Sequence, residues 1–117
     1  MDELVQRLSE GEHPMAVERA EGKVEELKAM IDRDYVLVKF TKTRGGTELG
    51  YRLDKERSKL DDADWEKETG KITLVGNLNL NYVDVRCVAN IELPGMEGSG
   101  HLEILEEGEK EEEDDSE

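Results

Sequence analysis

Four carboxylates alternate in Asp62-Ala63-Asp64-Trp65-Glu66-Lys67-Glu68. In an extended chain, every second side chain projects to the same side. A hard cation such as Ca²⁺ or Mg²⁺ accepts oxygens presented in this way. The calcium-loop pattern nevertheless fails. Lys67 stands where the sixth-position glycine belongs, and Thr73 stands where the bidentate glutamate belongs. The run reads as a solvated acidic loop.

Other chemistries fail on spacing. His13 and His101 are far apart in the chain and neither sits in a metal-binding spacing, so both read as surface residues and no metal site is expected. Gly98-Ser99-Gly100-His101 lacks the spacing of a nucleophile elbow and reads as part of a loop. Cys87 lies in an alternating run that gives it five apolar companions on its own face, while Arg86 points the other way. A buried, inert thiol follows. With 31 acids in the chain, no carboxylate pair stands out for acid–base work. No catalytic residue is assigned.

Two binding surfaces remain. Lys39, Lys42, Arg44 and Arg52 face a single acid, Glu48, which gives a local charge of +3 in an acidic protein. They surround Gly45-Gly46, a turn whose backbone N–H groups can receive an anion. This hairpin is a candidate contact for an acidic group on a partner, on a small anion or on the chain's own tail. Tyr51, Trp65 and Tyr82 are candidates for the lining of a small-ligand site.

Composition narrows the class. The 117 residues carry 16 Lys+Arg against 31 Asp+Glu, a net charge of −15. That balance argues against nucleic acid as a partner. No run approaches the ~18 apolar residues of a membrane span. The N-terminus lacks the basic and apolar regions of a secretory signal. One cysteine forms no intramolecular disulfide. A cytoplasmic protein without cofactor or membrane partner is the expectation.

Residues 106–117 hold nine acids and one base and no apolar side chain. A disordered tail is predicted there, after a single domain over residues 1–105.

The elements that must position these residues follow from periodicity. A short helix is expected over 2–9, an extended edge segment over 15–19, and a helix over 23–32 with Val24, Leu27 and Ile31 on one stripe. Two alternating runs, 35–41 and 48–53, flank Gly45-Gly46 as a β-hairpin. Residues 54–70 form a long polar link with a helical turn or a functional loop. Residues 71–80 and 82–93 alternate strongly, and their inward parity changes near Asn81, which places a turn or a bulge there. Pro94-Gly95 and Gly98 to Gly100 mark a loop before a last strand over 101–105. The fold class is α+β: five or six mostly antiparallel strands, open or curled toward a small barrel, with one or two short N-terminal helices.

The failure of the catalytic motifs points to a small acidic accessory protein that binds another protein. A β-rich binder of a small ligand and an enzyme with an unrecognised carboxylate pair are the alternatives.

Overall fold

The cleanest alternation in the sequence becomes the spine of the fold. A computed structural model describes residues 3–20 and 22–105. In it β4 (Gly70–Leu80) and β5 (Val83–Leu93) form an antiparallel hairpin in register from Leu80 opposite Val83 to Gly70 opposite Leu93. Asn81 and Tyr82 make the turn with φ of 50° and 68°. Two left-handed residues are what a two-residue turn needs to match the twist of its strands. Ile72, Leu74, Val85, Cys87, Ala89 and Ile91 lie inward and are fully buried or nearly so.

β6 (Glu97–Ile104) pairs with β5, β1 (His13–Val17) pairs with β6, β2 (Tyr35–Phe40) pairs with β1, and β3 (Thr47–Arg52) pairs with β2. The strand order is β3-β2-β1-β6-β5-β4, antiparallel throughout. Helix α1 (Glu3–Leu8) packs on β6 and buries Val5 and Leu8. Helix α2 (Val24–Asp32) packs on β2 through a stripe of Val24, Leu27, Met30 and Ile31. Its first turn carries Glu25 and Glu26, which suit the positive end of the helix dipole.

The sheet curls until its two outer strands approach. The Tyr51 hydroxyl on β3 donates to the Leu74 carbonyl on β4 at 2.8 Å, and the Asp54 N–H donates to the Val75 carbonyl at 2.7 Å. Gly76 lets the Arg52 backbone come this close, since a Cβ there would collide with the Arg52 carbonyl oxygen and the Tyr51 ring. The result is a six-stranded sheet close to a barrel, with two short helices, as the α+β reading expected.

Three local expectations are corrected. The segment at 15–19 is no edge: β1 is internal, with Met15 opposite Phe40 on one side and Gly98 on the other. Gly98 to Gly100 lie inside β6, not in a loop. Their lack of side chains is what the position requires, because a Cβ at Gly98 or Gly100 would strike the carbonyl oxygens of Asn90 or Val88 on β5. The link over 54–70 contains no helix. Lys59 and Thr73 exchange backbone bonds of 2.9 and 2.8 Å, and Asp64 pairs with Thr69, so the link runs as a short extra edge along the first half of β4. The predicted disordered tail lies outside the described residues.

Candidate functional site

The structure builds one region where sheet hydrogen bonding is left open. Ladder parity shows which backbone groups face it. Leu53 N–H donates to the Asp34 carbonyl at 2.8 Å, so Asp34 and Leu53 continue the β2–β3 ladder as a hydrogen-bonded pair. In an antiparallel ladder such pairs alternate with non-bonded ones. The N–H and C=O groups of Glu48, Gly50 and Arg52 therefore point away from β2, toward β4.

On β4, Thr73 spends both backbone groups on Lys59. Val75 gives its N–H to Ser58 Oγ at 2.9 Å and accepts from Asp54. By the same alternation, Asn77 and Asn79 turn their backbone groups outward from β5. Among the described residues no backbone bond crosses from Glu48 or Gly50 to Asn77 or Asn79. The seam is closed at the Tyr51 end and open toward the hairpin tip, with a free strand edge on each side.

The surroundings of the open end suit a protein partner. Tyr82 is 98% exposed at the tip. Leu78, Leu80, Val83 and Ile104 form a half-buried apolar margin of the core there. Since β2 and β4 run in the same direction, the β2–β3 turn lies at the same end of the sheet, on the other side of the seam. That turn holds exposed Lys42 and Arg44.

The basic hairpin is thus only partly a cluster. Lys39 turns back over Gly46 and pairs with Glu18 at 3.7 Å. Gly45 and Gly46 have φ of 73° and 78°, but the Gly46 N–H is spent on the Thr43 carbonyl at 2.9 Å. Arg52 sits at the closed end of the seam. Lys42 and Arg44 stay together beside the open end.

The three aromatic candidates do not meet. Tyr51 is 2% exposed, its hydroxyl is engaged with Leu74, and burial raises its pKa well above the ordinary value. Trp65 is half-buried beside Val24, Glu25 and Lys28 of α2 in a shallow cavity of about 230 Å³. Tyr82 lies almost fully in solvent at the hairpin tip, apart from the other two.

The chemically capable residues among those described lie apart or are engaged in structural contacts. Cys87 is fully buried, and desolvation pushes its thiol up to about 12. Asp64 spends its carboxylate capping the N–H groups of Glu66 and Lys67, both at 3.1 Å. Among the described residues no three His, Cys, Asp or Glu side chains converge as metal ligands. His101 is less superficial than its spacing suggested: its ring lies between the carboxylates of Glu12 and Glu103.

A curled antiparallel sheet with open edges and an exposed aromatic tip offers surfaces that can receive a partner. Residues 2–117 match the family of the core binding factor beta subunit, and the chain belongs to that family. No curated protein matches the chain. The family is that of a non-catalytic partner subunit of a transcription factor, so the role of this protein is interaction with another protein.

Two expectations are overturned by this membership. The family acts in the nucleus, which corrects the cytoplasmic assignment. It also works in a DNA-binding assembly, which corrects the exclusion of nucleic acid. Net charge misled here because it describes one chain alone and not the assembly in which a subunit of this family works. Within the described residues no helix is long and apolar enough to cross a membrane.

The sequence did not reveal Glu48, Gly50, Asn77 and Asn79 as a site. Their parity was legible, since all four fall on the polar phase of their runs. The adjacency of β3 and β4 was not, because nothing local says which strands become the outer ones.

Proposed function

We propose that this protein is the partner subunit of a Runt-domain protein and docks it through the open seam between β3 and β4. Family membership supports the partner class, since core binding factor beta subunits bind Runt-domain proteins, which bind DNA. The observation that carries the site is the pair of unsatisfied strand edges beside a tyrosine that is 98% exposed. Free edges accept an added strand or loop through main-chain bonds, and pockets for side chains give selectivity. Tyrosine is a common binding hot spot, because it buries a large rigid surface at low entropic cost. Lys42 and Arg44 supply charge beside the seam, which steers an acidic partner surface and sets its approach rate.

The test is affinity of the full chain for a purified Runt domain by calorimetry. Tyr82→Ala is expected to weaken binding by about 2 kcal/mol or more, roughly thirtyfold. A variant that binds as tightly as the parent refutes the assignment of the tip to the interface.

A further inference from the structure

A six-residue polar network runs across the outer face of the sheet. Asn77 Oδ1 accepts from Arg86 Nε at 3.3 Å, and Arg86 Nη1 reaches Glu103 Oε1 at 3.5 Å. Glu103 Oε2 meets His101 Nε2 at 3.1 Å, and His101 Nδ1 meets Glu12 Oε2. Ser99 Oγ donates to the other Glu12 oxygen at 3.4 Å. Glu12 lies in the link between α1 and β1, so the network ends on the segment that joins α1 to the sheet.

An imidazole between two carboxylates has one good state. As a cation it donates from both nitrogens. As a neutral ring it carries one proton, and its bare nitrogen then faces a carboxylate. The two carboxylates are not equivalent. Glu103 keeps the Arg86 guanidinium when the ring loses its charge. Among the described residues Glu12 keeps a long bond from Ser99.

We propose that His101 is a protonation latch that fastens the link after α1 to β6, and that its deprotonation releases Glu12 and loosens α1. Helix α1 has six residues, far too few to persist without its packing. A second attachment therefore matters to it.

Around the ring, the link contributes Glu12; β6 contributes Glu103 and neutral Ser99. From β5 come Val88, directly opposite, with Arg86 and Asn90 diagonal to it. From β1 comes His13, whose own ring bonds the carbonyls of Arg7 and Glu10 at 3.0 and 2.9 Å, toward α1. Burial works to lower the His101 pKa, but the hydrogen bonds and charges of Glu103 and Glu12 outweigh it and hold it above 6.5. The latch is therefore closed below that value. It opens as pH rises through the raised one.

The experiment follows two probes on the full chain between pH 6 and 9: the NMR titration of the His101 ring, and hydrogen exchange at the amides of Ser9 and Glu10. These amides bond the carbonyls of Val5 and Arg7 at 3.0 and 3.2 Å. Their protection, normalised by intrinsic exchange, is expected to fall with its midpoint at the His101 pKa. The loss is about tenfold for each unit by which the latch raises that pKa. His101→Gln is expected to show low protection that no longer varies with pH. Flat protection while the ring titrates overturns the latch. So does pH dependence that persists in His101→Gln, which would assign it to His13. If the variant fails to fold, the agreement or disagreement of the two parent midpoints decides alone.

Discussion

The seam makes a demand that only one parity of β4 satisfies. Asn79 is placed with its N–H toward the seam and away from β5, so replacing it by proline should remove a donor that the isolated protein does not use. Within sheets proline is confined mainly to edge positions with an outward N–H, to strand starts and to bulges, and Asn79 is far from the start of β4. The only other loss is the exposed bond from Asn79 Nδ2 to Asp84 Oδ1 at 3.1 Å. Asn79→Pro should therefore cost about 1 kcal/mol or less, by analogy with a net surface hydrogen bond. Leu78→Pro, one residue earlier, removes a ladder bond opposite Val85 and half-buried apolar surface. It should cost at least ~2 kcal/mol. At 4–8 °C per kcal/mol for a domain of this size, the two variants separate clearly by calorimetry. Binding should show the reverse contrast for Asn79→Pro: it keeps its fold yet binds the Runt domain about tenfold or more weakly, because a buried partner carbonyl loses its donor. Equal destabilisation by both prolines would refute the parity. A stable Asn79→Pro with unchanged affinity would refute docking along β4.

Other consequences can be measured separately. Ile91→Ala, at a fully buried site, should lower stability by roughly 2–5 kcal/mol in denaturant titration. Cys87 should resist thiol reagents in the native state and react at the rate of global unfolding, since its thiol is buried and its pKa is pushed up to about 12. Tyr51→Phe should cost about 0.5–1.5 kcal/mol by removing the bond to Leu74 that helps close the seam. Reversing the charges of Lys42 and Arg44 should slow association with the partner, and the effect should shrink as salt rises, because exposed charges are screened beyond about 10 Å at 0.1 M.

The division between what was legible and what was not is physical. Val83, Val85, Cys87, Ala89, Ile91 and Leu93 alternate because one face of β5 meets the core and the other meets polar neighbours, and that requirement is local. The turns at Gly45-Gly46 and at Asn81-Tyr82 were legible for the same reason: one announces itself by glycine, the other by a change of inward parity. The place of β1 was not. Five residues with one buried position, Met15, look the same at an edge or in the middle of a sheet. Its partners β2 and β6 are separated from each other by about half of the chain.

The seam lies one step further from sequence. It exists because two outer strands of one sheet come together at Tyr51 and Arg52 and stay unpaired toward Tyr82. That geometry depends on the accumulated twist and curl of all six strands. The closing contacts are few: a phenol, one amide and a glycine that admits a carbonyl. The opening uses polar residues that any solvated strand face would carry, Glu48, Asn77 and Asn79. Sequence patterning could thus place the seam residues on the correct face of each strand and still not assemble them. The charged turn stood out because it departs from the background of −15, yet the structure keeps only Lys42 and Arg44 of it beside the seam. Charge contrast marks a surface, whereas unsatisfied backbone groups mark where that surface can add a partner. For a small protein that acts by docking, the second property is the more specific guide.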